Sequence, residues 1–257
     1  MGEFKLAYTL CDNLNFAANE AYKRLRTNVL FSFADGGDKR VIGVTSAQLS
    51  DGKSTTSINF AYSLSQLADK RVLLIDGDMR RPSIHEKLGV DMKPGLSNLL
   101  CGTDSDGINI KRFKSSKGET FFDILPSGEI PPNPNELYNS ERMHQLIEKL
   151  RSIYDFIVID LPPVGPVADA QSAAQYCDGL IIVVREGTCP KDVLRDTIEQ
   201  LLYADAKILG FVMNGSRQGL KGYGCGKYGK YGKYGKYSKY GYGYSKYGYT
   251  THSGYYK

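Results

Sequence analysis

Hydrophobic residues along this chain fall into short continuous runs, separated by longer segments with a helical period. The runs occupy residues 41–46, 71–76, 121–125, 156–160, 179–184 and 207–213. Their length and their β-branched residues are typical of strands. Because several runs are apolar on both faces, they are predicted to be central strands of a parallel sheet that helices cover on both sides.

Apolar positions at helical spacing lie between these runs. They predict helices over residues 54–68, 135–153 and 192–204, with a further helix over about 19–33 before the first strand. Strands that alternate with helices favour an α/β fold. We therefore expect one domain over residues 1–218, with a mostly parallel central sheet flanked by helices.

The last part of the chain, residues 219–257, has a different composition. Glycine, lysine and tyrosine dominate it, which predicts a flexible, disordered tail. It contains eight lysines and no acidic residue, and removing these charges from the net charge of +5 leaves about −3 for residues 1–217. Because the domain itself is not basic, we expect no specific nucleic-acid partner.

The cysteines and the apolar segments predict the compartment. The five cysteines are scattered without metal-ligand spacing, which fits reduced thiols. The N-terminus does not have the pattern of a signal peptide, and the longest apolar runs fall far short of the ~20 residues that span a bilayer. A cytoplasmic protein is therefore expected, with any membrane association provided by a partner or by the basic tail.

The first predicted strand leads directly into SAQLSDGKSTTS, residues 46–57. This stretch fits the P-loop pattern, with alanine at the first position, and backbone N–H groups at the start of the next helix would attract phosphate oxygens. Lys53 is predicted to contact the β- and γ-phosphates, the Ser54 hydroxyl to ligate Mg²⁺ and Thr55 to contact the α-phosphate. The predicted nucleotide-binding residues of the loop are Ala47, Ser50, Asp51, Gly52, Lys53, Ser54 and Thr55. A chance tripeptide in a turn is the alternative, but the flanking strand and helix argue against it.

Aspartates follow two other predicted strands. Asp76 and Asp78 follow the second strand, with Arg80 two residues further on, and Asp160 ends the fourth strand before two prolines. Because ligands bind at the carboxyl ends of strands in open α/β sheets, these carboxylates are predicted to meet the P-loop and to hold Mg²⁺ beside a nucleotide. Each aspartate alone could also be a helix cap or a turn residue.

The three elements together resemble the motifs of the bacterial tyrosine kinases. That family has a Walker A loop, a Walker A′ motif of apolar residues followed by D-x-D-x-R, and a Walker B motif ending in D-x-P-P. All three are present in order, and residues 80–89 and 126–143 look familial as well. Residues 15–33 resemble the family's oligomerisation helix, whose E-x-x-R-x-x-R motif appears here as Glu20, Lys23 and Arg26. Lys23 keeps the charge of the usual arginine but loses its bidentate geometry.

The resemblance implies roles for individual residues. Ser54, Asp78 and Asp160 would form the metal site, and Asp76 would be the base that orients the tyrosine hydroxyl. Arg80 would be a charge partner near the phosphates or a neighbouring subunit. Asn214 looks like the adenine-contacting asparagine of related P-loop proteins, although a left-handed turn residue before Gly215 is an equal alternative.

The resemblance also implies an activity: an ATP- and Mg²⁺-dependent protein-tyrosine kinase that phosphorylates its own tail in trans, within a ring-shaped homo-oligomer. The implied partners are a transmembrane activator, a phosphotyrosine phosphatase and protein substrates. The kinase would regulate polysaccharide synthesis or export at the inner face of the plasma membrane. The implied phosphoacceptors are Tyr223, Tyr228, Tyr231, Tyr234, Tyr237, Tyr240, Tyr242, Tyr244, Tyr247, Tyr249, Tyr255 and Tyr256.

Two other functions fit parts of the pattern. A P-loop ATPase switch of the MinD/ParA type would share the fold, but its second loop lysine is missing from residues 47–51. A binding module could hold a structural nucleotide while its tail binds RNA or polysaccharide, since tyrosines and lysines together can bind single strands. Tyr138 and Tyr154 lie in a helical pattern and are expected to pack in the core rather than to act as substrates.

Overall fold

The computed structural model describes residues 10–33, 37, 39–103, 110–115, 121–165 and 167–215. These residues form seven strands of one sheet. The strands are β1 (Arg40–Ser46), β2 (Val72–Asp76), β3 (Lys111–Lys114), β4 (Phe121–Leu125), β5 (Phe156–Asp160), β6 (Gly179–Arg185) and β7 (Ile208–Asn214).

Helices connect the strands, and the part of the chain described here contains eight α-helices and one short 3-10 helix, Cys11–Asn13. The α-helices are α1 (Phe16–Phe31), α2 (Lys53–Ser65), α3 (Ile84–Leu88), α4 (Leu96–Cys101), α5 (Pro134–Tyr138), α6 (Glu141–Ile153), α7 (Asp169–Ala174) and α8 (Lys191–Tyr203). The side chain of Asn15 accepts a hydrogen bond from the Ala18 N–H at 2.9 Å, so α1 begins earlier than its apolar pattern predicted.

The strand order is β3-β4-β2-β5-β1-β6-β7, and only the β3–β4 pair is antiparallel among the described strands. The mostly parallel α/β sheet predicted from the sequence is therefore confirmed. Strand β5 lies between β2 and β1, so the strand before the P-loop and the two strands that end in aspartate are direct neighbours. This order brings all three motifs to one edge of the sheet.

Two hydrophobic cores cover the two faces of the sheet. One packs α1, α2 and α3 against the strands, and the other packs α4 to α8 against the opposite face. Strands β2 and β5 are buried at every residue, as expected for apolar runs in the middle of a parallel sheet. Burial on both faces keeps the carboxyl ends of these strands in fixed positions.

Two features of the fold differ from the sequence prediction. The single helix predicted over residues 135–153 is two helices, because Ser140 is extended (φ −81°, ψ 148°) and its side chain caps α6 by accepting from the Met143 N–H. Strand β3 was not predicted, since its four residues alternate between half-buried and exposed and contain only one apolar side chain.

The predicted tail, residues 219–257, lies outside the described residues. The proposed limit of the domain at residue 218 does too, and β7 extends to Asn214, slightly beyond the predicted strand. Within the described ranges, no helix combines the length and the apolar character needed to cross a bilayer.

Candidate active site

The P-loop connects β1 to α2, and Lys53 is the first residue of that helix. Gly52 has φ +96° and Ser50 has φ +65°, so the loop turns sharply just before the helix begins. Glycine adopts such angles without strain. The start of α2 and its N–H groups therefore face the cleft at the carboxyl ends of the strands, where a phosphate would find them.

Side chains at the ends of strands β6 and β7 form hydrogen bonds with this loop. Asn214 Nδ2 donates to the Asp51 carbonyl oxygen at 2.8 Å, and Arg185 Nη1 donates to the Ser50 carbonyl oxygen at 3.3 Å. A Cβ at Gly52 would lie 2.0 Å from Asn214 Nδ2, so a larger residue would displace this contact. The buried Asp51 carboxylate accepts from the Gln48 N–H at 3.2 Å and closes the loop on itself.

Asn214 is therefore a structural neighbour of the P-loop. It is the last residue of β7, and the left-handed residue is Gly215 with φ +71°. The alternative assignment of Asn214 as a left-handed turn residue is wrong, because the glycine takes that conformation. Its predicted contact with adenine stays a prediction.

The acidic residues and the P-loop lysine form one buried cluster. Asp76 and Asp160 are paired residues of the neighbouring parallel strands β2 and β5. Lys53 Nζ lies 2.7 Å from Asp78 Oδ2 and 3.8 Å from Asp160 Oδ2. The Ser57 hydroxyl lies 3.0 Å from Asp160 Oδ1. The structure thus brings the predicted lysine and the three predicted aspartates together.

Burial makes the charges of this cluster interdependent. Burial acts to lower the pKa of Lys53, but Asp160, Asp78 and Asp76 outweigh it and raise the pKa above its ordinary value. Burial and the charge of Asp160 raise the pKa of Asp76 to about 8, although the Ile84 N–H and Lys53 oppose the shift. Burial raises the pKa of Asp160 as well. One lysine is therefore too little positive charge for three carboxylates.

Two buried carboxylate oxygens of the cluster, Asp76 Oδ1 and Asp160 Oδ2, have no hydrogen-bond partner among the described residues, although Lys53 Nζ lies 3.8 Å from the second. Buried oxygens of this kind are unfavourable unless a donor or a cation satisfies them. Carboxylate and hydroxyl oxygens are the ligands that Mg²⁺ takes in nucleotide sites, and Ser54 is buried beside Lys53. The residues present therefore fit a magnesium ion.

Asp76 has no exposed surface. Its Oδ2 accepts hydrogen bonds from the Ile84 N–H at 3.0 Å and from the Ser83 N–H at 3.2 Å, at the start of α3. Oδ2 thus holds the start of α3, whereas Oδ1 remains able to accept a hydrogen bond from a substrate. Because the carboxylate is fully enclosed, a tyrosine hydroxyl can reach it only after the surrounding residues have moved.

Arg80 lies at the surface next to this cluster, and its partner is Asp169 at the start of α7. Its Nε donates to Asp169 Oδ2 at 2.6 Å and its Nη2 donates to Asp169 Oδ1 at 3.1 Å. The carboxylate is buried, whereas the guanidinium side chain is 43% exposed. A buried carboxylate that binds both nitrogens fixes the plane of the guanidinium, while much of the side chain stays accessible to solvent.

The three residues of the predicted oligomerisation motif all lie on α1. Lys23 Nζ lies 2.8 Å from Glu20 Oε1 on the surface. Arg26 Nη1 donates to the Ser63 carbonyl oxygen of α2. Within this single chain the motif therefore has both a surface ion pair and a contact that joins α1 to the P-loop helix.

A cavity of about 780 Å³ separates α1 from the edge strand β7. Thr56 and Asn214 border it on the P-loop side, and Phe16, Phe211 and Met213 line it with apolar surface. The three apolar side chains are at least half exposed, at 82%, 52% and 58%. The cavity is open, mostly apolar and adjacent to the phosphate-binding loop.

Sequence reasoning missed four residues that shape this site: Ser57, Arg185, Asp169 and Tyr138. Arg185 ends a buried strand and lies in register with Asn214, so the rule that predicted the aspartates could also have found it. Ser57 follows the P-loop serine by three residues on α2 and could have been found from helical spacing. The sequence pattern contains no signal for Asp169, and for Tyr138 it predicts burial but not the partner of the hydroxyl, because both partners are distant along the chain.

Comparisons with known proteins agree with this arrangement. A family model described as an AAA domain matches residues 39–202. The tyrosine-protein kinase YwqD of Bacillus subtilis is 36% identical over 199 residues, covering 77% of this chain and 81% of that protein. The tyrosine-protein kinase CpsD of Streptococcus pneumoniae is 38% identical over 204 residues, covering 77% of this chain and 84% of that protein. The solved kinase domain of the Escherichia coli tyrosine kinase ETK has a TM-score of 0.73 and 30% identity, covering 91% of this chain and 83% of that domain.

Proposed function

Because this chain belongs to the bacterial tyrosine kinase family and is an ATP-dependent protein-tyrosine kinase, we propose that it phosphorylates the tyrosines of its own residues 219–257 in trans. The resemblance drawn from the three motifs is thereby confirmed. The observation that supports the proposal best is the buried cluster at the P-loop. There, Lys53 faces three aspartates with two unpartnered oxygens between them. Such a cluster is built to accept a cation together with a phosphate chain.

Magnesium is the cation that suits these ligands. Ser54, Asp78 and Asp160 would hold it, directly or through water. When bound, the ion neutralises negative charge on the phosphate oxygens during transfer. The unpartnered oxygen of Asp160 lies 3.8 Å from Lys53 Nζ, so the same carboxylate faces both positive charges.

Lys53 would change partners when ATP binds. In the structure its ammonium group forms an ion pair with Asp78 at 2.7 Å. Phosphate oxygens offer the ammonium an alternative partner and release Asp78 for the metal site. Arg80, held by Asp169 at the opening, would place a second positive charge beside the phosphates or a neighbouring subunit. Phosphoryl transfer depends mainly on such positioning and charge neutralisation.

Asp76 would orient the incoming tyrosine hydroxyl. A phenol has a pKa of about 10, so it is neutral at pH 7 and an ionised carboxylate can accept its hydrogen bond and align the oxygen. Because the pKa of Asp76 is raised to about 8, the carboxylate would be mainly ionised only above that pH in the nucleotide-free protein. The Oδ1 of Asp76 accepts no hydrogen bond from the described residues, so it would take this contact once the residues that enclose it have moved.

The adenosine part of ATP would lie in the cavity between α1 and β7. Its volume is within the usual range of about 300–1,000 Å³ for small-molecule sites. Asn214 and Thr56 border it, so a base in this cavity would be continuous with phosphates on the P-loop. Asn214 would then have two roles: it holds the P-loop through its hydrogen bond to Asp51, and it would contact the nucleoside in the cavity.

The composition of residues 219–257 suits a substrate of such a site. Twelve tyrosines are spaced by lysines, and acidic residues that would repel a triphosphate are missing from this segment. Each phosphate adds about −1.5 to −2 charges, so roughly four to five phosphates would cancel the eight lysines. Phosphorylation would thus reverse the charge of the segment and act as a switch for assembly or for binding to acidic surfaces.

Transfer in trans requires a second copy of the chain. Two phenylalanines at opposite ends of α1 are exposed, Phe16 at 82% beside the cavity and Phe31 at 81%, on the same helix as the Glu20–Lys23 ion pair. A second copy that packed along α1 would cover both side chains. A homo-oligomer, as a ring, would bring one chain's tyrosines to the next chain's site.

The remaining parts of the proposal rest on the family. The kinase would work in the cytoplasm, recruited to the inner face of the plasma membrane by a transmembrane activator. It would regulate polysaccharide synthesis or export through protein substrates, and a phosphotyrosine phosphatase would reverse its action.

A phosphotyrosine blot tests the activity. The full chain is incubated with Mg-ATP, with ATP in EDTA, and as two variants: Lys53→Met and Lys149→Met. Lys149 is exposed on α6 and serves as the control for loss of one lysine. We expect a signal in wild type and the control that is absent in EDTA and in Lys53→Met. ATP hydrolysis without phosphotyrosine would instead favour the ATPase switch.

A further inference from the structure

Two buried tyrosines form a hydrogen-bonded chain that ends at the loop carrying Asp76 and Asp78. The Tyr176 hydroxyl donates to the carbonyl oxygen of Tyr138 at 2.6 Å. The Tyr138 hydroxyl in turn donates to the carbonyl oxygen of Gly77. Gly77 is the residue between the two aspartates, so these hydrogen bonds connect the end of α5 directly to the cluster.

The Gly77 peptide is also the point where the two acidic motifs touch. Its N–H donates to the Asp160 carbonyl oxygen at 2.9 Å, and its carbonyl oxygen accepts from the Met79 N–H at 2.8 Å. A Cβ at Gly77 would lie 2.7 Å from Tyr138 Oη and 2.9 Å from the Asp160 carbonyl oxygen. The Tyr138 hydroxyl therefore packs directly against Gly77, together with the Asp160 carbonyl oxygen and the Ile159 side chain.

Tyr138 is suited to a permanent role as a donor. It is fully buried at the end of α5, where its backbone is held by the Tyr176 hydroxyl. Burial, with Asp78 and Asp169 nearby, raises its pKa well above the ordinary value, so the hydroxyl keeps its proton at any working pH. A phenol that never ionises adds no charge to the acidic cluster.

We propose that Tyr138 is a positioning residue: its hydroxyl fixes the Gly77 carbonyl and so sets the direction in which Asp78 presents its carboxylate. The peptide between Gly77 and Asp78 can rotate only if its carbonyl oxygen gives up both the Tyr138 hydroxyl and the Met79 N–H, and the hydroxyl is the one of the two that a side-chain substitution removes. In the observed orientation Asp78 Oδ2 reaches Lys53 Nζ at 2.7 Å. The inference rests on the proposed function, since Asp78 matters here as a ligand of the metal–nucleotide complex.

The variant Tyr138→Phe removes this one oxygen atom, and Tyr154→Phe is its matched control. Tyr154 is also buried, and its hydroxyl donates to Asp123 Oδ2 of β4 at 2.9 Å, away from the three motifs. Both variants lose one buried hydrogen bond and should lose similar thermal stability. Only Tyr138→Phe should disturb Asp78.

The measurement is the binding of a fluorescent ADP analogue to the full chain at increasing Mg²⁺ concentrations. Loss of a residue that orients a metal ligand commonly lowers metal affinity 10- to 100-fold. We expect Tyr138→Phe to raise the half-saturating Mg²⁺ concentration about tenfold, with nucleotide binding in EDTA unchanged. Tyr154→Phe should match wild type in both conditions.

Equal Mg²⁺ dependence in wild type and Tyr138→Phe would overturn the inference, as would equal shifts in the two variants. If Tyr138→Phe does not fold, Tyr176→Phe keeps the critical hydroxyl but releases the backbone that carries it. A shift in the same direction for Tyr176→Phe supports the inference, and no shift contradicts it. The binding assay does not require phosphoryl transfer, so its outcome does not depend on whether the phosphotyrosine blot detects kinase activity.

Discussion

Replacing Lys53 by methionine should destabilise the nucleotide-free protein, beyond abolishing catalysis. Only 10% of the lysine side chain is exposed, and its ammonium group lies 2.7 Å from Asp78 and 3.8 Å from Asp160. Methionine has a similar volume but leaves three buried carboxylates without this countercharge. Removing one partner of a buried ion pair typically costs about 3–5 kcal/mol, which for a domain of this size lowers Tm by about 10 °C or more.

The loss should depend on pH in a defined direction. The pKa of Lys53 is raised in the folded state, so its contribution to stability is fully present below its ordinary value of about 10.5. At pH 5 Asp76, with a pKa of about 8, carries a proton and leaves less negative charge to balance. At pH 8.5 Asp76 is mostly ionised, so the destabilisation by Lys53→Met should be larger there than at pH 5.

Urea denaturation of wild type, Lys53→Met and Lys149→Met at the two pH values measures this effect. A free energy of unfolding of Lys53→Met within about 1 kcal/mol of wild type at pH 8.5 would refute the reasoning, because the buried pair would then contribute no more than a surface pair. A larger loss at pH 5 than at pH 8.5 would also refute it.

Three further predictions follow from the same contacts. Asp76→Asn should raise the Tm of the nucleotide-free protein at pH 8 and change its Tm little below pH 4, as measured by thermal melts. The reason is that a carboxyl group whose pKa is raised to about 8 contributes stability at low pH, and this contribution is lost as the pH rises. Asp169→Asn should release Arg80 and lower the autophosphorylation rate about tenfold, with little change in the KM for ATP. The control is Asp178→Asn, which weakens the bidentate pair with Arg151 away from the site and should leave the rate unchanged. Mass spectrometry after incubation with ATP should find phosphate on residues 219–257 and, within the described part of the chain, only on Tyr203, which is 95% exposed, whereas Tyr22 is half-buried and the other described tyrosines are buried.

The fold and the outline of the site could be predicted because both depend on local patterns. Continuous apolar runs gave the parallel strands, and an aspartate at the end of each of two such strands must lie at the same edge of the sheet. The strand register pairs Asp76 directly with Asp160, and a sequence pattern does not specify the register. The break at Ser140 escaped prediction because the apolar spacing continues across it, although the serine is a good helix cap.

The contacts that position the site could not be predicted, because they join distant parts of the chain. The pattern around Tyr138 predicts burial, which the structure shows, but burial does not specify that its hydroxyl meets Gly77. Arg26 likewise lies in a motif expected to face another subunit, yet it donates to the Ser63 carbonyl oxygen of the same chain. Such partners are fixed by the packing of whole helices rather than by spacing along one of them.

The central claim is that one chain phosphorylates the tyrosines of another, and a mixing experiment tests it most directly. Full-length Lys53→Met carrying an affinity tag is combined with an untagged, active full-length chain whose tyrosines in residues 219–257 are all phenylalanine, and the tagged chain is recovered under denaturing conditions after incubation with Mg-ATP. Lys53→Met keeps every acceptor, and the active chain lacks the twelve proposed acceptors. Transfer in trans predicts phosphotyrosine on residues 219–257 of the Lys53→Met chain. Phosphotyrosine in unmixed wild type together with an unmodified Lys53→Met chain in the mixture would contradict it.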